Sequence, residues 1–266
     1  MTTARPAEIV LAVGSGKGGV GKSTVALNLA LALRSSGPVG ILDADFYGPN
    51  VPHMLGLRQK TWTDTWTLAR RGGTAAQPIL PPVERHGLKI ASVGFLLGED
   101  QAFGLSAVGL DLLVKQLVRQ VAWGELRFLV VDLPPGTADV AQLLVHELKI
   151  SGALIVVTPQ AVAHLDARKA VTMFRHARVR VLGGVENMSH LACPHCGERI
   201  PLFPPVASDR SIWMMDVERL GELPFLPRLS EAAEHGTPLL VSDPGSGWAA
   251  ALSAIAGRVL ARLEAL

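Results

Sequence analysis

The sequence has 266 residues, 48% of them hydrophobic and 18% charged, which suits one soluble globular chain with a large core. A formal charge of +2 is too near balance to argue for nucleic-acid binding, and no apolar run is long enough to span a bilayer. Two cysteines three positions apart exclude a disulfide framework; with no apolar signal core in MTTARPAE, the expected compartment is the cytoplasm, where such a pair serves metal or redox chemistry.

In chain order, continuous apolar runs predict buried strands at Ile9 to Val13, Val39 to Leu42, Leu88 to Val93, Phe128 to Val131, Ala153 to Val157 and Val179 to Leu182. Helical periodicity lies between them, at Val25 to Leu33, Leu110 to Val121 and Asp166 to His176. The alternation predicts an α/β fold with a doubly wound, mostly parallel sheet flanked by helices, as a single domain over 1–266.

The first strand runs into Gly16-Lys17-Gly18-Gly19-Val20-Gly21-Lys22-Ser23-Thr24, which matches G-x-x-x-x-G-K-[ST] between a strand and a helix. Glycines let successive backbone N–H groups turn toward phosphate oxygens, and the helix that follows adds its positive end. In that reading Lys22 meets the β- and γ-phosphates of a nucleotide and the Ser23 hydroxyl ligates Mg²⁺. The ordinary alternative is a glycine-rich strand-to-helix turn, which has no need of Lys22-Ser23. Lys17 is an additional cation inside the loop.

Asp43-Ala44-Asp45 closes the second strand, where crevice-facing carboxylates sit in such sheets. Asp45 is expected to hold a Mg²⁺-bound water or the attacking one, with Asp43 supporting it; helix capping or an Asx-turn is the alternative. Trp62 and Trp66 read as anchors of a surface loop pinned by ring burial. Leu129-Val130-Val131-Asp132 is an apolar strand ending in a carboxylate, which puts Asp132 near Mg²⁺; Gly136 follows, able to bring its N–H close to a γ-phosphate. Asn187 can read a base edge, since an amide both donates and accepts. No N-K-x-D guanine reader is present, so the nucleotide is expected to be ATP.

Cys193-Pro194-His195-Cys196-Gly197 is a metal-knuckle turn with two thiolates. Zinc and iron–sulfur sites generally use four protein ligands, so one chain offers half a site. Either a second chain or His190 or His195 completes it, while a redox pair would need a helix that Gly197 and the prolines beyond do not favour. The tail places Trp248, Leu252, Ile255, Val259, Leu263 and Leu266 on one helical stripe over about 248–266. It is either a core-docked helix or a peripheral membrane helix, and its few basic residues favour the former.

GKGGVGKST resembles the deviant phosphate loop of the MinD, ParA and nitrogenase iron-protein class, in which the early lysine reaches the partner's nucleotide. Together with DADFYGPNVP, HGLKIASVGFLL, VAWGEL, VVDLPPGTADV, VTPQ, VENMS, CPHCG and GELPFLPRLSEAAEHGTPLL, it makes the chain similar to the Mrp/ApbC family of iron–sulfur cluster carrier ATPases. The resemblance implies a nucleotide-dependent homodimer, with a cluster, 4Fe-4S or else zinc, held by Cys193 and Cys196 of each chain. It carries Lys17, Asp45, Asp132 and Gly136 over as the signature lysine and switch residues, and it implies apo iron–sulfur proteins as recipients; the charge balance and the few basic residues of the tail lead to the expectation of no nucleic-acid partner and no stable membrane association. The rival functions are a MinD/ParA-like organiser of membrane or DNA cargo and an adaptor stapled by zinc. The chain differs from the family at 103–109, in place of W-R-G-P, at Ala138, and across Ile200 to Met215.

Overall fold

A computed structural model describes residues 5–57, 62, 80–96, 106–137 and 139–265. Trp66, positions 103–105, Ala138 and Leu266 lie outside the described residues. The elements in order are β1 (Ile9–Ser15), α1 (Lys22–Leu33), β2 (Val39–Asp43), α2 (Val51–Met54), β3 (Val83–Arg85), β4 (Leu88–Ser92), α3 (Ala107–Gln120), β5 (Phe128–Asp132), α4 (Asp139–Glu147) and β6 (Gly152–Val157). There follow α5 (Ala161–His176), β7 (Val181–Ala192), β8 (Arg199–Ile200), β9 (Arg219–Phe225), α6 (Arg228–Glu234), α7 (Leu239–Ser242) and α8 (Gly247–Glu264).

The strands form one sheet in the order β3-β4-β2-β5-β1-β6-β7-β8, with β9 also paired to β7. Pairing is parallel from β4 through to β7 and on to β9, while β3 and β8 add antiparallel. The strands that read as unbroken apolar runs are those buried along their whole length: β2, β5 and β6 have no exposed position. Strand order reverses at β1, whose neighbours are β5 and β6, and a ligand crevice opens at such a switch point. Register does the rest. Asp132 stands level with Val13 on one side and with Asp43 on the other, so the phosphate loop and both carboxylate-bearing strand ends share one rim.

Burial follows the predicted stripes. In α8 the buried side chains include Trp248, Leu252, Ile255, Val259 and Leu263, and the helix packs on β9, β7 and α1. Its apolar face is therefore spent on the core, as the docked reading expected. Ser246 caps the helix by accepting from the Ala249 N–H. Trp62 is buried edge-on against Phe95 and donates its indole N–H to Pro81 O at 2.8 Å, the pinning expected of that ring.

Two stretches differ from expectation. The strand predicted at Val179 to Leu182 is instead β7, which runs on to Ala192. Glu186, Asn187, Ser189 and His190 interrupt its apolar pattern, yet neighbours satisfy them: Glu186 pairs with Arg219 at 3.4 Å, and Ser189 donates to Leu223 O at 3.2 Å. The partner strand β9 also escapes pattern reading, because Gly221, Glu222 and Pro224 break it up; a proline is tolerable on a strand paired on one side.

The segment that returns the chain from β8 to β9 is fastened by a buried histidine. His164 of α5 accepts from the Ile212 N–H at 3.2 Å and lies edge-on to Trp213, whose other neighbours include the Arg219 guanidinium, 4.9 Å from the ring centroid. Burial, and then the charge of Arg219, pull the His164 pKa down to about 4. The folded state thus holds this proton less tightly than the unfolded chain. Stability from this site is complete above about pH 6.5 and is lost as pH falls toward 4. His164→Gln keeps an acceptor for Ile212 but cannot be charged, so its melting temperature should fall less than that of the wild type between those pH values. Parallel acid limbs in thermal melts would show that His164 carries no such dependence.

Candidate nucleotide site and cysteine turn

Between β1 and α1 the chain turns through Gly16 to Gly21 with no room for side chains at two points. A Cβ on Gly16 would collide with the backbone of α5 at Asp166 and Ala167. Gly21 has φ of 81°, and a Cβ there would strike the Asn187 amide. Gly21 also leaves α1 without a side-chain cap, so its first N–H groups are free to meet an anion. The loop is braced from within by the Ser15 hydroxyl, which donates to Lys17 O at 3.0 Å, and from outside by Asn187, whose Nδ2 donates to Val20 O at 2.9 Å.

Three carboxylates converge on one lysine at this rim. Lys22 Nζ lies 2.6 Å from Asp132 Oδ1 and 3.5 Å from Asp45 Oδ2, and it donates to Ser23 Oγ at 3.3 Å. Burial works against the lysine's charge, but Asp132 and Asp45 outweigh it and hold its pKa above the ordinary value. Asp132 is fully buried and pushed upward by that burial, with Lys22 opposing. Asp43, equally buried, rises to about 7, first from burial and then from the Asp132 charge. It accepts from Ser92 Oγ at 2.9 Å and from the N–H groups of Asp45 at 3.3 Å and Val51 at 3.2 Å. Asp43 therefore holds the turn that presents Asp45, which in turn accepts from the Tyr47 N–H at 3.2 Å.

This donor set fits a magnesium–phosphate group. Asp132 Oδ2 is buried with no hydrogen-bond partner, facing a rim whose carboxylates outnumber its cations. A divalent cation would supply the missing positive charge, and phosphates would take up Lys22. Beside the loop is a cavity of about 330 Å³, lined by Lys17, Lys22, Ser23 and Thr24 of the loop, Asp45, and Asn50, His53 and Glu234. A larger hollow at the opposite end of the sheet, around Arg5 and Gly124, holds none of these groups.

The other site residues are placed as follows. Gly18, Gly19 and Val20 complete the loop, with Val20 turned into the core. Gly136 lies against the loop, and its N–H, expected to face a γ-phosphate, donates to Ser15 O at 2.8 Å. Lys17 Nζ donates to Gln160 Oε1 at 3.0 Å, so in this chain the additional lysine is held by its own protomer. Asn187, expected at a base edge, is instead buried against the loop with one amide hydrogen committed to Val20. Sequence reasoning missed Gln160, Asn50, His53 and Glu234. Gln160, Asn50 and Glu234 fall inside VTPQ, DADFYGPNVP and GELPFLPRLSEAAEHGTPLL, stretches noted for their likeness and not for these side chains; His53 lies just beyond the second of them.

The cysteines form the tip of the β7–β8 hairpin, where Leu191 pairs with Ile200 and Ala192 with Arg199. The turn is closed by Gly197 N–H to Cys193 O and by Cys193 N–H to Glu198 O, both 2.9 Å. Backbone N–H groups of His195 and then Cys196 face the Cys193 sulfur and hold its pKa below the usual thiol range. Cys196 is exposed. Among the described residues no three His, Cys, Asp or Glu side chains gather closely enough to hold a metal ion, and His190 is engaged with Ser189 Oγ at 2.9 Å.

Residues 7–260 match the family model described as ParA: NUBPL iron-transfer P-loop NTPase. The chain is 41% identical over 257 residues to an iron–sulfur cluster carrier protein of Synechocystis, covering 96% of this chain and 71% of that one. It is 41% identical over 260 residues to the iron–sulfur cluster transfer protein NUBPL of Mus musculus, covering 96% and 77%. An Escherichia coli iron–sulfur cluster carrier protein matches at 40% over 255 residues, 96% of this chain and 66% of that one. Among solved structures, a nucleotide-binding protein of Archaeoglobus fulgidus in complex with ADP and containing cobalt superposes with a TM-score of 0.70 at 34% identity, covering 91% of each chain. The MinD protein of Pyrococcus horikoshii, complexed with Mg-ADP, shares the fold at TM-score 0.69 and 23% identity, over 94% and 95%.

The buried charge cluster gives a prediction with two parts. Lys22→Ala should abolish ATP binding in calorimetry and also destabilise the nucleotide-free protein by about 3 kcal/mol, since it leaves buried carboxylates without a counter-charge. Adding Asp132→Asn should recover most of the stability and none of the binding. A Lys22→Ala protein that binds ATP as tightly as wild type would refute the assignment.

Proposed function

The chain belongs to the NUBPL iron-transfer P-loop NTPases of the ParA group, and on that footing we propose an ATP-binding and ATP-hydrolysing carrier that holds an iron–sulfur cluster between two copies of itself and passes it to apo-proteins. One observation carries the reading: a phosphate loop and an exposed two-thiolate turn lie on one sheet, and the chain has no other cysteine. Relatives at about 40% identity are named for carrying or transferring such clusters.

In this reading Ser23, and Asp132 through water, would hold Mg²⁺, which would supply positive charge against the phosphates. Lys22 leaves Asp132 for the β- and γ-phosphates, Asp45 positions the attacking water, and Lys17 leaves Gln160 to serve the partner's nucleotide. Hydrolysis is slow and acts as a switch. Lys17→Ala should keep nucleotide binding and lower the hydrolysis rate by about 10³-fold or more, with mixed dimers restoring part of it. Unchanged hydrolysis in a phosphate-release assay would make Lys17 a surface residue.

The cluster is cargo. Two thiolates from each chain make four ligands, and a two-fold axis through the site provides them equally. No helix among the described residues is long and apolar enough to cross a membrane, and the apolar face of α8 is docked on the core, which favours a cytoplasmic carrier over a membrane organiser. Anaerobic loading with iron and sulfide, followed by metal analysis and sedimentation, should give one 4Fe-4S cluster per two chains. Cys193→Ala and Cys196→Ala should each lose it while still binding ATP. A loaded monomer would contradict the shared site, and zinc retained with no cluster acquired would favour a stapled adaptor.

A further inference from the structure

The phosphate loop and the cysteine turn are joined by a single strand. Asn187 lies in β7 beneath the loop, where its Nδ2 holds Val20 O at 2.9 Å and its amide fills the space a Cβ at Gly21 would need. Any shift of the Val20–Gly21 backbone is therefore felt at Asn187. The same strand continues to Ala192, and Cys193 follows it directly.

Between loop and turn the strand has a joint. Met188 takes φ of 55°, a left-handed conformation uncommon for a side chain of this type, and the pairing of β7 with β9 slips between Asn187 and Leu191. Such strain persists where the surroundings enforce it, and it clusters at switch regions and ligand clamps. Beyond the joint the structure is firm again. Leu191 pairs with both Ile200 and Phe225, Ser189 is tied to Leu223 O, and the turn closes on itself through Cys193, Gly197 and Glu198. Strand β9 pairs with β7 before the joint, at Asn187 with Leu223, and after it, at Leu191 with Phe225, so a change at Asn187 reaches the hairpin along both strands.

We propose that Asn187 and Met188 form the joint through which the state of the phosphate loop is relayed to the Cys193–Cys196 turn, Asn187 acting as a positioning residue that senses the loop backbone. This rests on the carrier reading and names the residues that make its switch work. Coupling of this kind is reciprocal, so a loaded turn changes nucleotide affinity by the same factor as nucleotide changes the turn.

The chain's only two cysteines are those of the turn, so thiol alkylation of the intact apo-protein by iodoacetamide reports on it alone. Rates are compared without nucleotide and with Mg-ATP at saturation, checked by calorimetry for each variant. In the wild type, Mg-ATP should change the alkylation rate by roughly five-fold or more. Asn187→Ala should bind Mg-ATP but lose that response, and Met188→Gly, which keeps the Asn187 contact while freeing the joint, should shrink it. An undiminished response in both variants would overturn the proposal, as would an Asn187→Ala protein that folds but cannot be saturated with Mg-ATP, which would make Asn187 a part of nucleotide binding itself. A wild type that binds Mg-ATP, carries one cluster per two chains and yet shows no response would overturn the relay while leaving the carrier reading intact.

Discussion

Lys22 among Asp132, Asp45 and Asp43 is the constraint on which the rest of the structure depends. A buried lysine tolerates burial only with carboxylates beside it, and buried carboxylates tolerate each other only with a cation between them. Even with a proton on Asp43, whose pKa has risen to about 7, two carboxylates face one lysine. A divalent cation would offset that excess. The rim is in this sense built for a ligand, and the sheet register that levels Asp43 with Asp132 is what assembles it.

From that rim the sheet extends in one direction to the cysteines. β7 is at once a neighbour of β6, the wall of the phosphate loop through Asn187, and one arm of the hairpin that carries Cys193. Polar residues in the middle of a strand usually weaken it, yet each here has a defined partner, including Glu186 with Arg219 and Ser189 with Leu223. A strand so fastened on the loop side and so free at its tip suits a chain that handles nucleotide at one place and a metal cargo at another.

Much of this was legible in the residues. β2, β5 and β6 declare themselves because both faces are buried, α8 because its stripe is strictly periodic, and the loop because Lys22-Ser23 after Gly21 has no packing purpose. The continuation of β7 and all of β9 were illegible because Asn187 and His190, and Gly221 and Pro224, break the apolar pattern, while the strands are held by their pairing with each other and by contacts such as Asn187 with Val20. Gln160 is distant in sequence from Lys17 and meets it only through the β1–β6 pairing. Asn187 was read as a base contact because an amide both donates and accepts; its burial, with Nδ2 on Val20 O, is a tertiary contact that composition cannot reveal.

The central claim is that nucleotide chemistry at Lys22 governs release of a cluster held at Cys193 and Cys196. It is tested most directly by mixing cluster-loaded protein with an apo form of a [4Fe-4S] acceptor and following recovery of the acceptor's visible absorbance, with and without Mg-ATP. The account predicts transfer that outpaces free iron and sulfide and whose rate depends on Mg-ATP in the wild type but not in Lys22→Ala. Recovery no faster than with free iron and sulfide, or equally fast with and without nucleotide, would contradict it.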